Sequence, residues 1–205
     1  MAFLSDTDRQ RVAAAIKQAE NATSGELVTV IARASDTYLF IPTLWAAMAA
    51  LLVPLPLILL GDPLSAWNAY SVQLGVFVLL VAAFRWRPIC MLLIPKRVQR
   101  ARAARLAREQ FFEQGLYRTQ ERTGVLIFVS IAEHYVEILA DKGINDKVPA
   151  GAWEGIVGDF VGNVKAGKVA DGFLHAVEAC GSLLAEHFPK PPGNADELPN
   201  HLIEI

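Results

Sequence analysis

Charge is what the middle of this chain lacks: between Tyr38 and Phe84 the only charged residue is Asp62. Cysteine is scarce as well. Cys90 and Cys180 stand far apart without metal-ligand spacing, which excludes a disulfide framework or a zinc site and fits free thiols in a reducing compartment. Nor is there a surplus of positive charge, since 19 Lys and Arg face 21 Asp and Glu, so no nucleic-acid partner is expected. The sequence has no P-loop, no Gly-rich dinucleotide fingerprint behind a strand, and no G-x-S-x-G around Ser24, Ser130 or Ser182, which removes the familiar nucleotide and nucleophile motifs. His134, His175, His187 and His201 show no ligand spacing and read as structural or solvated. Met1–Glu20 is polar and lacks the apolar core of a cleavable signal, so the first apolar run is expected to act as its own insertion signal.

Two apolar runs fill the charge-poor middle. The first, Tyr38–Leu60, holds Thr43 as its one clearly polar side chain after Tyr38, and about 20 such residues suffice to cross a bilayer. The second, Trp67–Trp86, carries a tryptophan at each end, where interfacial aromatics are favoured, although Asn68, Ser71 and Gln73 weaken its start. The expectation is a two-helix transmembrane hairpin turning at Gly61–Ala66, with the lipid bilayer as a partner. A hairpin buried in a soluble core is the alternative, but the remaining chain is too short to wrap two such helices on all sides. Arg85, Arg87, Lys96, Arg97, Arg100, Arg102, Arg105 and Arg108 follow the second run, while the turn has no Lys or Arg. That asymmetry predicts both termini on the cytoplasmic side of a bacterial inner membrane. Pro88–Pro95 is too short to cross and reads as an interfacial segment or a buried bend.

The flanks read as a soluble α/β domain. Ser5 with Asp8 marks a helix start, and Val12, Ala15, Ile16 and Ala19 share one face to about Ala22. Glu26–Ala34, Gly124–Ile131 and Tyr135–Ala140 are β-rich, the last two close enough for a hairpin at Ala132-Glu133-His134. Helices are predicted over Lys96–Tyr117, Ala150–Ala166 and from about Lys168 to His187. The arginine-rich side of the first of these is either a solvated face or rests on anionic headgroups. With a helical crossover between the first two strands, those strands are expected to be parallel and the third antiparallel. The domain assignment is therefore 1–36 with 97–189 as one discontinuous cytosolic α/β domain, 37–96 as hairpin plus interfacial segment, and 190–205 as a tail whose final HLIEI docks on the domain. The fold class is a three-layer α/β/α sandwich with a small mixed sheet, interrupted by the hairpin.

The stretches SGELVTVIARA, RTGVLIFVS, YVEILADKGI and WEGIVGDFVGNVKAGKVADGFLHAVEACGSLLAEHFP resemble the TPM-domain family in its bacterial membrane-inserted form. The resemblance covers about residues 20–36 and 101–189. It implies an α/β/α sandwich and, by association, divalent-cation binding, phosphatase activity or upkeep of membrane complexes. Where many relatives carry Gly-x-Gly after the third strand, this chain reads Asp141-Lys142-Gly143.

The expected topology puts three loops at one end of the sheet, those at Ser24-Gly25-Glu26, Arg122-Thr123-Gly124 and Asp141–Asp146. Glu26, Asp141 and Asp146 would there form a metal site for a hard cation such as Ca²⁺ or Mg²⁺, which prefers carboxylate oxygens. The competing reading makes Glu26 an exposed strand-start residue, and Asp141 and Asp146 turn or helix-start residues. Two functions follow. The favoured one is a membrane-anchored binding or assembly and maintenance module for a membrane-associated protein partner. The other is a divalent-cation-dependent phosphatase, with Arg122 or Lys142 available to phosphate charge.

Overall fold

A computed structural model describes residues 4–59, 65–119, 121–149, 151–192 and 197–205. Residues 61–64 of the expected turn, with Asp62, and the expected helix start Ala150 lie outside the described residues. The chain divides into two compact units, Met1–Ser35 with Ala101–Ile205, and Asp36–Arg100.

The first unit is an α/β fold around a mixed four-stranded sheet. Its strands are β1 (Glu26–Ala32), β2 (Gly124–Ser130), β3 (Tyr135–Ala140) and β4 (Leu202–Glu204), in the order β3-β2-β1-β4. β1 and β2 run parallel from Glu26↔Gly124 to Ala32↔Ser130, and β3 returns antiparallel to β2. Every residue of β1 and β2 is buried, as expected for apolar strands covered on both faces. On one face Leu27, Ile31, Val125 and Ile127 pack with Val12 and Ile16 of α1 (Asp6–Glu20), Phe160 of α8 (Ala152–Lys165) and Phe173, Val177 and Leu184 of α9 (Val169–His187). On the other, Val28, Val30, Leu126 and Phe128 pack with Ala107 and Phe111 of α6 (Lys96–Glu113) and with Leu116.

Local signals place most helix ends. The Ser5 hydroxyl accepts a hydrogen bond from Asp8 N at 3.1 Å and caps α1. That hydroxyl and Arg11 hold the Asp8 carboxyl below its ordinary value. α6 stops at Glu113, short of the expected Tyr117, because Gly115 takes a left-handed conformation at φ 75° and a 3₁₀ turn, Leu116–Arg118, follows. A one-turn helix, α7 (Lys142–Asn145), stands where only a loop was expected.

The tail docks as a strand. β4 pairs parallel with β1 from Thr29↔Leu202 to Ile31↔Glu204, Arg33 N donates to Ile205 O at 2.8 Å and Ile205 N to Ile31 O at 3.0 Å. The Arg9 guanidinium meets the Glu204 carboxylate at 3.1 Å. This fourth strand adds to the three read from the sequence.

The second unit holds the apolar runs. The first run is interrupted: α2 (Phe40–Leu52) ends at Val53 and α3 (Pro54–Leu59) follows. Pro54 and Pro56 bring no N–H to the helical ladder, and Val53 N turns back to Ala50 O at 3.3 Å. The second run forms α4 (Ala66–Phe84), capped by the Ser65 hydroxyl, which accepts from Asn68 N at 3.2 Å. Among the described residues α4 is the one helix long and apolar enough to cross a membrane, and no residue of it is buried. α2 and α4 pack against each other. Pro88–Pro95 is largely a short helix, α5 (Arg87–Leu93), whose Cys90 is buried with Ile94 against Tyr38.

One core position is imperfectly matched to its surroundings. The Thr29 hydroxyl, in the middle of β1, is fully buried and has no hydrogen-bond partner. Thr29→Val keeps the shape and removes an unmet polar group, so it should stabilise the fold by about 1 kcal/mol. A lower urea midpoint than wild type would contradict this account.

Candidate functional site at the loop end of the sheet

The three loops meet as the topology requires. Glu26 N donates to Thr123 O at 3.1 Å and Asp141 N to Gly124 O at 2.9 Å, so the starts of β1 and β2 and the end of β3 are stitched together. The approach is close at Gly143, where a Cβ would come within 2.7 Å of Arg122 O and 2.8 Å of Glu121 O. Arg122 itself sits at φ 53°, a conformation that costs a non-glycine residue and marks a tightly determined turn.

Several side chains around these loops bind backbone groups. The Thr23 hydroxyl donates to Phe188 O at 2.6 Å and accepts from Gly25 N at 3.0 Å. Thr123 Oγ1 donates to Ser24 O at 3.0 Å, and the Ser24 hydroxyl donates to Glu121 at 2.9 Å. Glu20 places a buried carboxylate oxygen 2.9 Å from Leu27 N. The reason lies in the sheet: Glu26 N points to β2, so Leu27 N points the other way, where β4 reaches only as far as Thr29. Glu20 supplies the acceptor that a longer β4 would have provided. Lys190 closes the same corner, its ammonium donating to Glu20 O at 2.9 Å.

The sequence-predicted acids each have a separate post. Glu26 is 3% exposed, not the exposed strand-start residue of the competing reading, and its carboxylate accepts from Glu197 N at 3.2 Å. Asp141 caps α7 by accepting from Lys142 N at 2.6 Å, while its other carboxylate oxygen is buried without a hydrogen-bond partner. Asp146 is exposed at the C-cap of α7. The loops thus come together, but among the described residues no three His, Cys, Asp or Glu side chains are grouped to hold a metal ion. Lys142 is exposed.

Sequence reasoning did not single out Glu20, Thr23, Glu121 or Lys190. A polar residue just before a predicted strand start was the available signal for the first two. It also missed a shallow cleft of about 360 Å³ between the end of α6 and the tail, lined by Glu113, Gln114, Arg118, Thr119 and Glu197. Other reactive types are accounted for. Burial pushes the Cys180 thiol up to about 12, which removes it as a nucleophile near neutral pH. His175 faces Asn163 at 3.3 Å, and His134 occupies the β2–β3 turn at φ 51°.

A second polar knot lies at the opposite end of the sheet. Ser35 N donates to Glu133 at 2.9 Å, the Ser35 hydroxyl donates to Ser130 Oγ at 2.8 Å, and Ser130 Oγ donates to the other Glu133 oxygen. Ser130 and Glu133 are buried. This knot ties the chain leaving β1 to the β2–β3 turn.

The tight approach at Gly143 carries a prediction. Gly143→Val must push the Arg122 and Glu121 carbonyls away and should cost about 1–3 kcal/mol of stability, whereas Lys142→Ala, on the exposed side, should stay within about 0.5 kcal/mol. Equal denaturation midpoints for the two variants would contradict the packing described.

A search of curated proteins returns no match. The NMR structure of BA42 protein from the psychrophilic bacterium Bizionia argentinensis is similar in fold, with a TM-score of 0.64 and 21% identity, covering 100% of this chain and 97% of that one. Residues 88–183, from α5 through most of α9, match the profile of the TPM domain.

Proposed function

We propose that the protein is a membrane-anchored TPM-like α/β module that binds, assembles or maintains a membrane-associated partner, with Asp36–Arg100 as its bilayer anchor. The observation that carries this reading is α4. It is 19 residues long and apolar, with Trp67, Val78 and Leu79 among its exposed side chains. At 1.5 Å per residue it spans about 28 Å, close to the hydrocarbon thickness of a bilayer. Leu44, Trp45, Met48, Leu51 and Leu52 of α2 are exposed too. An apolar surface of this extent in water would drive association. The basic residues after α4 support cytoplasmic termini at an inner membrane. The absence of charged residues from the described parts of α2 and α4 speaks for anchoring over transport, where intramembrane charges mark pathways.

The full chain expressed in bacteria should stay in the membrane fraction after alkaline carbonate extraction, and fusions at either end should report the cytoplasm. Release into the soluble fraction as a monodisperse monomer would end the anchor reading. The module reading further expects a membrane protein to co-purify in mild detergent; recovery of this chain alone at low and high salt would count against it.

The divalent-cation-dependent phosphatase rests on one observation, the buried Asp141 oxygen without a partner at the converging loops. A cation held there by Asp141, with Glu26 and Asp146 drawn in, should raise the melting temperature of the detergent-solubilised chain in Ca²⁺, Mg²⁺ or Mn²⁺. No shift in the wild type, or an equal shift in Asp141→Asn, removes that alternative.

A further inference from the structure

The segment after α4 combines exposed basic residues, exposed apolar side chains and a hydrogen-bonded bend. Arg85 is the C-cap of α4, Trp86 the N-cap of α5, and Arg87 the first residue of α5. Lys96 and Arg97 open α6, and Arg100 lies one turn on. All five basic side chains are exposed, and no ion pair to a carboxylate is found for them among the described residues. Acidic residues are absent from the sequence between Asp62 and Glu109. The acid at the other end of this unit, Asp36, is engaged by the Tyr38 amide at 3.3 Å and the Thr37 hydroxyl at 3.4 Å.

Two large apolar side chains stand among these cations. Trp86 is 68% exposed and Leu92 85% exposed. The bend that carries them is built rather than loose. Gln99, fully buried, donates from one amide nitrogen to Met91 O at 2.8 Å and Ile94 O at 3.0 Å, and so satisfies carbonyls at the end of α5 that the helix leaves open. Lys96 in turn donates to the Gln99 carbonyl oxygen at 3.1 Å. Cys90 and Ile94, buried against Tyr38, hold the inner side of the bend.

We infer that this α4–α5–α6 elbow is a binding surface for anionic phospholipid headgroups, Arg85, Arg87, Arg97 and Arg100 meeting phosphate while Trp86 and Leu92 enter the headgroup–acyl boundary. The inference rests on the anchor reading and adds a lipid preference to it. Charge complementarity points to an anion. The apolar pair beside the cations, one helix length of about 28 Å from the start of α4, favours a lipid surface over an acidic protein segment, because tryptophan and basic residues together suit that boundary.

The test uses the full chain in phosphatidylcholine vesicles carrying brominated phosphatidylglycerol or brominated phosphatidylcholine at equal mole fraction. The signal is the quenching of the emission that Trp86→Phe removes. Phosphatidylglycerol should show a relative affinity about fivefold or more above phosphatidylcholine. The ratio should fall toward one in about 0.5 M NaCl and in the Arg87→Gln/Arg97→Gln/Arg100→Gln variant. A wild-type ratio of one, with the chain still floating with vesicles after an alkaline wash, overturns the lipid preference and leaves the anchor standing. Failure to float with either vesicle overturns both. If the triple variant aggregates, the salt series on the wild type decides.

Discussion

The parallel pairing of β1 with β2 is the constraint on which the rest of the α/β unit depends. It runs in unbroken register from Glu26↔Gly124 to Ala32↔Ser130, and both strands are wholly buried. Parallel strands need a long crossover, and here the crossover contains the entire Asp36–Arg100 unit. The closing entropy of a loop grows only with the logarithm of its length, about 0.6 kcal/mol per doubling, so an insertion of that size weighs little against two buried strands. What the pairing does need is a defined exit and entry. The knot of Ser35, Ser130 and Glu133 fixes the exit, and Thr123, whose N donates to Thr119 Oγ1 at 3.1 Å, fixes the entry.

That pairing also explains the loop end. Aligning the starts of β1 and β2 brings Ser24, Thr123 and Asp141 to one corner, and a buried corner must satisfy its backbone polar groups. The Thr23 and Thr123 hydroxyls are spent on this, as is Glu20, whose carboxylate completes the edge that the three-residue β4 leaves open. Glu26 and Asp141 have backbone amides of their own to bind. The Asp141 carboxylate is thereby tied to its own loop through Lys142 N, and that of Glu26 to the tail through Glu197 N.

The inserted unit follows a different rule. Within the α/β unit, apolar residues face inward in two clusters, one on each face of the sheet. Within Asp36–Arg100 a small buried cluster sits around Tyr38, Cys90 and Ile94, and no residue of α4 is buried. One chain therefore contains two solvation patterns, and the join between them is marked by a dense run of basic residues and a hydrogen-bonded elbow at Gln99.

Local chemistry in the sequence decided a large part of this. Strand composition identified β1, β2 and β3. The spacing of Trp153, Ile156, Val157, Phe160, Val161 and Val164 identified α8, and Ser5 with Asp8 marked the start of α1, because these signals act over a few residues. A crossover of helical length was enough to expect the parallel pair and the antiparallel return, and hence which loops meet. Three things needed the folded chain. The prolines at 54 and 56 were visible, but whether the first apolar run bends or breaks depends on how Val53 rebonds. The tail's HLIEI was legible as a docking segment, yet its place as a parallel edge strand beside β1 was not, since three residues carry no register of their own. And the fates of Glu26 and Asp141 turned on which amide lay within reach of each carboxylate, a matter of tertiary distance that residue type alone does not encode.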